Sequence, residues 1–323
     1  MIKKSHIDNP VRKYFISTIY LVFVLFLLIG QAQSQELNKR GVSILIPKNT
    51  PQYLEVVRSI KEKLKKNEIG DPVDIIFLSD NHKLAKKSLD NKKLVVLIGS
   101  RSLDYYLKSQ NKSPYITSLI TRSAFEYITS KNIVRNGFVG GVSIDQPPRR
   151  FLSLAKMVVP NLKKIALIMG PEVIKNKKNI LRGFSKNNLV YNLFEILLND
   201  NPINKLRKAY EENEVLILFP DRAKFNNSIS RWVLTLSAQY QIPVISYSKK
   251  YANAGALASI FSTSTQIGDQ TAEMMISFLK NSRNKPKKLV DPKYFDIHIN
   301  KSVENALGLT LPSKFELLNK IAN

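Results

Sequence analysis

The sequence predicts an α/β protein of two lobes, each a parallel sheet flanked by helices, with a cleft between them. Three observations predict it. Short apolar runs recur along the chain and are continuous rather than alternating, amphipathic stretches separate them, and three glycine- or proline-marked breaks interrupt the series. Continuous apolar runs fit strands buried on both faces. Strand alternating with helix at this spacing builds right-handed βαβ units in an open sheet.

Taken in order, residues 1–34 come first. Lys3, Lys4, Arg12 and Lys13 precede an apolar run from Tyr14 to Gly30, and Ala32 and Ser34 follow as small alternating residues. A basic start, an apolar stretch and a small-residue site describe an export signal cut near Ser34. An uncleaved anchor is the alternative, since the run lies at the lower limit for crossing a bilayer. Either way the remainder is placed outside the inner membrane, periplasmic or secreted, or held there by its own anchor.

Candidate strands follow at Val42–Ile46, Val73–Leu78, Leu94–Ile98, Thr117–Ile120, Lys164–Met169, Val215–Phe219 and Val244–Tyr247. Between the first two, Leu54, Val57, Ile60 and Leu64 recur at helical spacing. Phe151, Leu154, Met157 and Val158 repeat the pattern until Pro160 stops it. The breaks are Gly137–Val142 with Pro147-Pro148 close behind, Tyr251–Ala256, and the lysine-rich Ser282–Lys288. They divide the exported chain into residues 35–143 plus about 253–283 as one lobe, and 144–252 plus about 284–323 as the other.

The chain has 323 residues, 50 of them Lys or Arg against 25 Asp or Glu, and no cysteine. Zero cysteine excludes disulfides, a thiolate nucleophile, Cys-ligated metal sites and a lipid-anchoring cysteine. Excess positive charge raises nucleic acid as a partner. Yet lysine outnumbers arginine 37 to 13 and falls in scattered pairs such as Lys65-Lys66 and Lys177-Lys178, the pattern of solvated faces. No nucleic-acid partner is expected.

Catalytic motifs are missing. There is no nucleophile elbow, phosphate loop, zinc-protease pair or dinucleotide fingerprint. His82 in a polar loop and His298 in a strand-like run read as ordinary residues. No enzyme, metal or cofactor is expected. In open α/β sheets ligands bind beyond the carboxyl ends of the strands. Those ends carry Ser100 and Arg101, Thr121 and Arg122, Asp221 and Arg222, and Tyr247 and Ser248. Guanidinium forks suit carboxylate or phosphate oxygens, so a small anionic or carboxylate-bearing ligand, an amino acid among them, is the expectation.

Gly141–Pro171, Ile242–Ala272 and Tyr294–Pro312 resemble the exported substrate-binding proteins of ABC transporters, in the family that includes tryptophan- and tyrosine-binding members. The run Ala254–Ser259, the helix start Gly268–Met274 and the tail Ile299–Pro312 carry the likeness. It implies a type I periplasmic-binding-protein fold with two Rossmann-like lobes and hinge closure on a small molecule. It also implies an inner-membrane ABC permease as partner, or a sensor or receptor in relatives that do not serve transport. The chain departs from the pattern at Asn136–Val142, at Thr121–Glu126 where Asp-Pro-Val is usual, and at Ser248 and Thr263 where relatives often place acids.

Overall fold

The computed structural model describes residues 40–78, 82–132, 137–184, 188–197, 201–221, 227–280 and 288–322. The export segment and Arg222 therefore lie outside the described residues. Among the described residues no helix is long and apolar enough to cross a membrane.

The first lobe begins with β1 (Arg40–Ile46), α1 (Pro51–Lys66), β2 (Val73–Phe77), α2 (His82–Leu89) and β3 (Lys92–Ile98). It continues with α3 (Ser100–Lys108), β4 (Tyr115–Ile120), α4 (Arg122–Lys131) and β5 (Phe138–Ser143). The second lobe runs through α5 (Pro148–Val158), β6 (Lys164–Met169), α6 (Pro171–Ile174), α7 (Lys177–Phe184), β7 (Val190–Glu195) and α8 (Pro202–Glu212). Then come β8 (Val215–Leu218), α9 (Asn227–Tyr240), β9 (Val244–Ser246), α10 (Lys249–Asn253) and β10 (Ala258–Phe261). The chain returns to the first lobe for α11 (Ser264–Lys280) and β11 (Leu289–Val290). It ends in the second with β12 (Asp296–Ile299), α12 (Lys301–Ala306) and α13 (Lys314–Ala322).

Two six-stranded sheets result, ordered β11-β5-β4-β3-β1-β2 and β12-β10-β9-β8-β6-β7. Every pairing is parallel except β12, which lies antiparallel on β10 with Ser259 opposite His298. Residues of β1, β3, β8 and β9 face apolar clusters on both sides of their sheets, which is why those runs carry no alternation. The edge strand β7 instead reads Val-Tyr-Asn-Leu-Phe-Glu and is mostly half-buried.

Three expectations need correction. The segment Gly137–Val142 is no break: it lies largely in β5, which is inserted between β4 and β11. Gly141 is required there because a Cβ would stand 2.5 Å from Thr117 Cγ2 and 2.9 Å from Leu289 Cδ1. The return to the first lobe, expected near residue 253, falls between β10 and α11, because Ala258–Phe261 is a buried strand that pairs with β9 in the second sheet. Likewise β11 pairs with β5, so the last crossing comes after residue 290 rather than near 284.

Three chain segments thus join the lobes, and one side chain holds them together. Arg150, buried on α5, donates from Nη1 to Gln146 Oε1 at 2.7 Å and to Pro292 O at 2.9 Å, and from Nη2 to Lys293 O at 3.2 Å. Gln146 in turn donates to Ser262 Oγ at 2.8 Å, and Ser262 donates to Tyr294 O at 2.6 Å. The guanidinium also lies 4.1 Å from the centre of the Phe295 ring. Burial and the neighbouring Arg149 push its pKa down to about 10. From the first lobe, Gln270 on α11 grips the same crossing, donating to Asp291 O at 3.0 Å and accepting from Lys293 N at 2.7 Å.

Candidate functional site

The carboxyl ends of both sheets face the crossings, and a cavity of about 310 Å³ lies between them. From the first lobe its wall is the start of α4. Thr121 is buried and caps that helix, its hydroxyl accepting from Ala124 N at 3.2 Å. Arg122 N donates to Asp145 Oδ2 at 2.6 Å, and its guanidinium donates to Asp291 Oδ1 at 2.7 Å. Asp145 stands just past β5, with Ser143 Oγ donating to it at 3.2 Å. Burial raises its pKa, outweighing those hydrogen bonds and the nearby Arg122 charge.

From the second lobe the wall is α6 and the start of α7. Asp221, 2% exposed, accepts from Glu172 N at 2.8 Å and Val173 N at 3.0 Å, so it closes the amino end of α6 from within. Gly170 makes this possible: a Cβ there would lie 2.5 Å from the Asp221 carboxylate. Phe151 and Phe219 supply an apolar surface, their rings 5.2 Å apart edge to face. Lys175 of the second lobe also reaches toward Tyr127 of the first, its Nζ 5.8 Å from the ring centre. Tyr127 also accepts a hydrogen bond from Lys131.

The charges in this cavity run opposite to those of the chain. Among the described lining residues are the acids Glu126, Asp145, Glu172 and Asp291 and a single base, Arg122. That base is paired with Asp291. Both helix starts at the cleft already hold a carboxylate of the protein itself: Asp145 on Arg122 N, and Asp221 on the α6 amides. Among the described residues, the Arg122 guanidinium, its amide and the α6 amides are thus already engaged by the protein's own carboxylates.

The eight strand-end residues named from sequence do not converge on one place. Arg122 lines the cleft, with Thr121 and Asp221 as supports behind it. Ser100 and the exposed Arg101 open α3 after Gly99 and line neither this cavity nor the one described next. Tyr247 and Ser248 line a separate cavity of about 860 Å³ on the flank of the second lobe. That cavity is larger, but every described lining residue comes from one lobe, so it cannot respond to closure of the cleft.

Asp145, Glu126, Glu172 and Asp291 were not singled out from sequence. For Asp145 the missing signal was its strand: once Phe138–Ser143 is a strand, Asp145 is at its carboxyl end. Of the two histidines named from sequence, the side chain of His82 lies outside the described residues. His298 sits on β12, its pKa lowered by burial and by Lys249 and Lys314. The serine across from it, Ser259, is fully buried and closed to substrate.

Comparison with known proteins agrees with this architecture. The family model described as ABC transporter substrate binding protein matches residues 41–320. No curated protein matches. Among solved structures, a ligand-free, open substrate-binding protein with adhesive properties from Clostridium difficile is similar at a TM-score of 0.66 and 19% identity. That match covers 85% of this chain and 96% of its own. The ABC domain in complex with L-Trp from Streptococcus pneumoniae aligns at 0.56 and 19%, covering 86% and 98%. A periplasmic ribose ABC transporter protein from Conexibacter woesei aligns at 0.52 and 8%, covering 88% and 98%. At these identities the structures show the shared fold, the type I periplasmic-binding fold.

Proposed function

The chain belongs to the ABC transporter substrate-binding protein family, and from that premise we propose that it captures a small molecule bearing a protonated nitrogen. The ligand would bind in the cleft between the lobes, and closure would hand it to an inner-membrane permease. Export by residues 1–34 places it on the outer side of that membrane.

The observation that carries the ligand class is the reversal of charge. In a chain with twice as many bases as acids, the described lining of the cleft holds four acids and one base, and that base is already paired. An anion would have to displace Asp145 or Asp291 from its partner, whereas an ammonium group meets Asp145 directly. Its burial makes that contact stronger than it would be in water. Phe151 and Phe219 would take an apolar or aromatic part, and about 310 Å³ accommodates a ligand of modest size. The L-Trp held by the Streptococcus pneumoniae structure is one molecule of this kind.

Where the contacts lie supports closure about a hinge. Arg122 and Glu126 belong to the first lobe, Glu172 and Phe219 to the second, so a ligand touching both favours the closed form by its differential affinity for it. The test is a thermal-shift and calorimetric panel on the protein without residues 1–34. L-tryptophan, tryptamine and other amines would be compared with phosphate, citrate and aromatic carboxylates. Amines should raise the melting temperature, because a ligand bound only by the folded state stabilises it, and Asp145→Asn should weaken them about tenfold or more. Stabilisation by the anions alone, or amine affinity unchanged in Asp145→Asn, overturns the assignment.

A further inference from the structure

The flank cavity of the second lobe shares no lining residue with the cleft and does not depend on its reading. Its walls are α9, α10 and α12. Because β8 and β9 are parallel neighbours, the helices that follow them start on the same side, and the cavity has two unlike ends.

At the end where α9 and α10 begin stand Arg231 and Lys250, with the hydroxyls of Ser230 and Ser248 beside them. Neither cation forms an ion pair among the described residues, and the described lining contains no carboxylate. Toward the other end apolar side chains join the wall, Leu234 and Ala238, one helical turn apart on α9, with Val303 and Ala306 of α12 and Leu307 just past it, among the polar Ser237, Gln241 and Ser302. Tyr251 forms part of the wall between, its ring tilted on Tyr247 at 5.2 Å and its hydroxyl bonded to that of Ser230. A volume of about 860 Å³ falls in the range of small-molecule sites.

We propose that this groove is a second binding site, for an amphipathic organic anion. Its carboxylate or sulfonate head would lie on Arg231 and Lys250, and its apolar body would run along α9 toward α12. The charge pattern selects the class: two cations without acids at one end, and aliphatic side chains at the other. It is the complement of the cleft, where the acids dominate.

The chain supplies its own reporter. Its single tryptophan, Trp232, lies on α9 next to Arg231 and is 42% exposed. The dye anilinonaphthalene sulfonate would be titrated into the folded protein with tryptophan excitation, and dodecanoate used to displace it. Saturable energy transfer from Trp232 at one dye per chain is expected. Arg231→Ala with Lys250→Ala should weaken binding about tenfold, and Ala306→Phe, which fills the apolar end from an exposed position, should weaken it as much. Lys61→Ala, an exposed cation on α1, should change nothing. Unfolding midpoints equal to the parent's would show that the variants fold. Transfer that does not saturate near one dye per chain overturns the proposal. So does affinity within twofold of the parent in either the double variant or Ala306→Phe.

Discussion

Arg150→Met removes the guanidinium that gathers the crossings while keeping a side chain of similar reach. The parent makes two short bonds inside the protein, to Gln146 Oε1 at 2.7 Å and Pro292 O at 2.9 Å, and a longer, partly exposed one to Lys293 O at 3.2 Å. A hydrogen bond to a charged donor contributes about 1.5–3 kcal/mol net, and a buried acceptor left bare costs about 1–3 kcal/mol. Against this stands the cost of burying the cation, visible in a pKa pushed down to about 10. The contact with the Phe295 ring adds roughly another 1 kcal/mol. Counting two effective bonds and offsetting them by the burial cost leaves a loss of about 3 kcal/mol.

Urea unfolding would read that figure directly. A midpoint drop of roughly 6–12 °C would accompany it, taking about 2–4 °C per kcal/mol for a chain of this size. Arg150→Lys retains charge without the planar fork and should recover about half. Hydrogen exchange separates a clamp from an ordinary core residue: the amides of Asp291 and of residues 293–295 should exchange faster in Arg150→Met while those of β1 and β8 keep pace with the global loss. A variant within about 0.5 kcal/mol of the parent, with unchanged exchange at the crossing, would refute the clamp.

Two further predictions concern the carboxylates at the cleft. Asp221→Asn keeps the shape but loses the charge that two amides share, so it should cost about 1–2 kcal/mol in urea unfolding. Affinity for amines should change little, and a large affinity loss with stability unchanged would mean that Asp221 touches ligand rather than α6. For Asp145 the sign runs the other way. Its pKa is raised in the folded state, so the folded protein holds the proton more tightly than the unfolded chain. Stability then falls as pH rises from the ordinary carboxylate range through the raised value, the groups facing it being Arg122, Ser143 and Asp291. Asp145→Asn should therefore be more stable than the parent at pH 7, with the gap closing toward about pH 3. Loss of stability at pH 7 in this variant would contradict a carboxylate held there at a cost.

Much of the fold was legible because its strands are buried on both faces. Val42–Ile46, Leu94–Ile98 and Val215–Phe219 read as strands since each needs apolar residues toward two clusters. What escaped were strands whose composition answers to something else. In β5, Gly141 is demanded by the closeness of Thr117 and Leu289, and a glycine-rich strand looks like a turn. In β10, the alternation of small and apolar residues follows the glycine at 255, which drew attention to a break a few residues early. The site was less legible for a deeper reason. Strand ends can be placed from sequence, but whether Arg122 is free depends on Asp291, 169 residues away, and Asp221 looks the same whether it meets ligand or caps α6.

The same distinction explains why the proposed ligand class runs against the excess positive charge of the chain. Charge on a surface is screened within about 10 Å at ordinary salt, so scattered lysines do little to a molecule enclosed between the lobes. What such a molecule meets is the local set, and among the described residues there each positive group faces a negative one of the protein's own. Arg122 has Asp291, its backbone amide has Asp145, and the amides of α6 have Asp221. A carboxylate kept in so confined a place lowers the stability of the ligand-free protein, as its raised pKa records. Under the proposed function, a bound ammonium would relieve that cost, and most fully if closure excludes water. On the proposed function, closure would withdraw further water from a carboxylate that is already partly desolvated, so the ligand's charge would contribute to closing the cleft as well as to affinity.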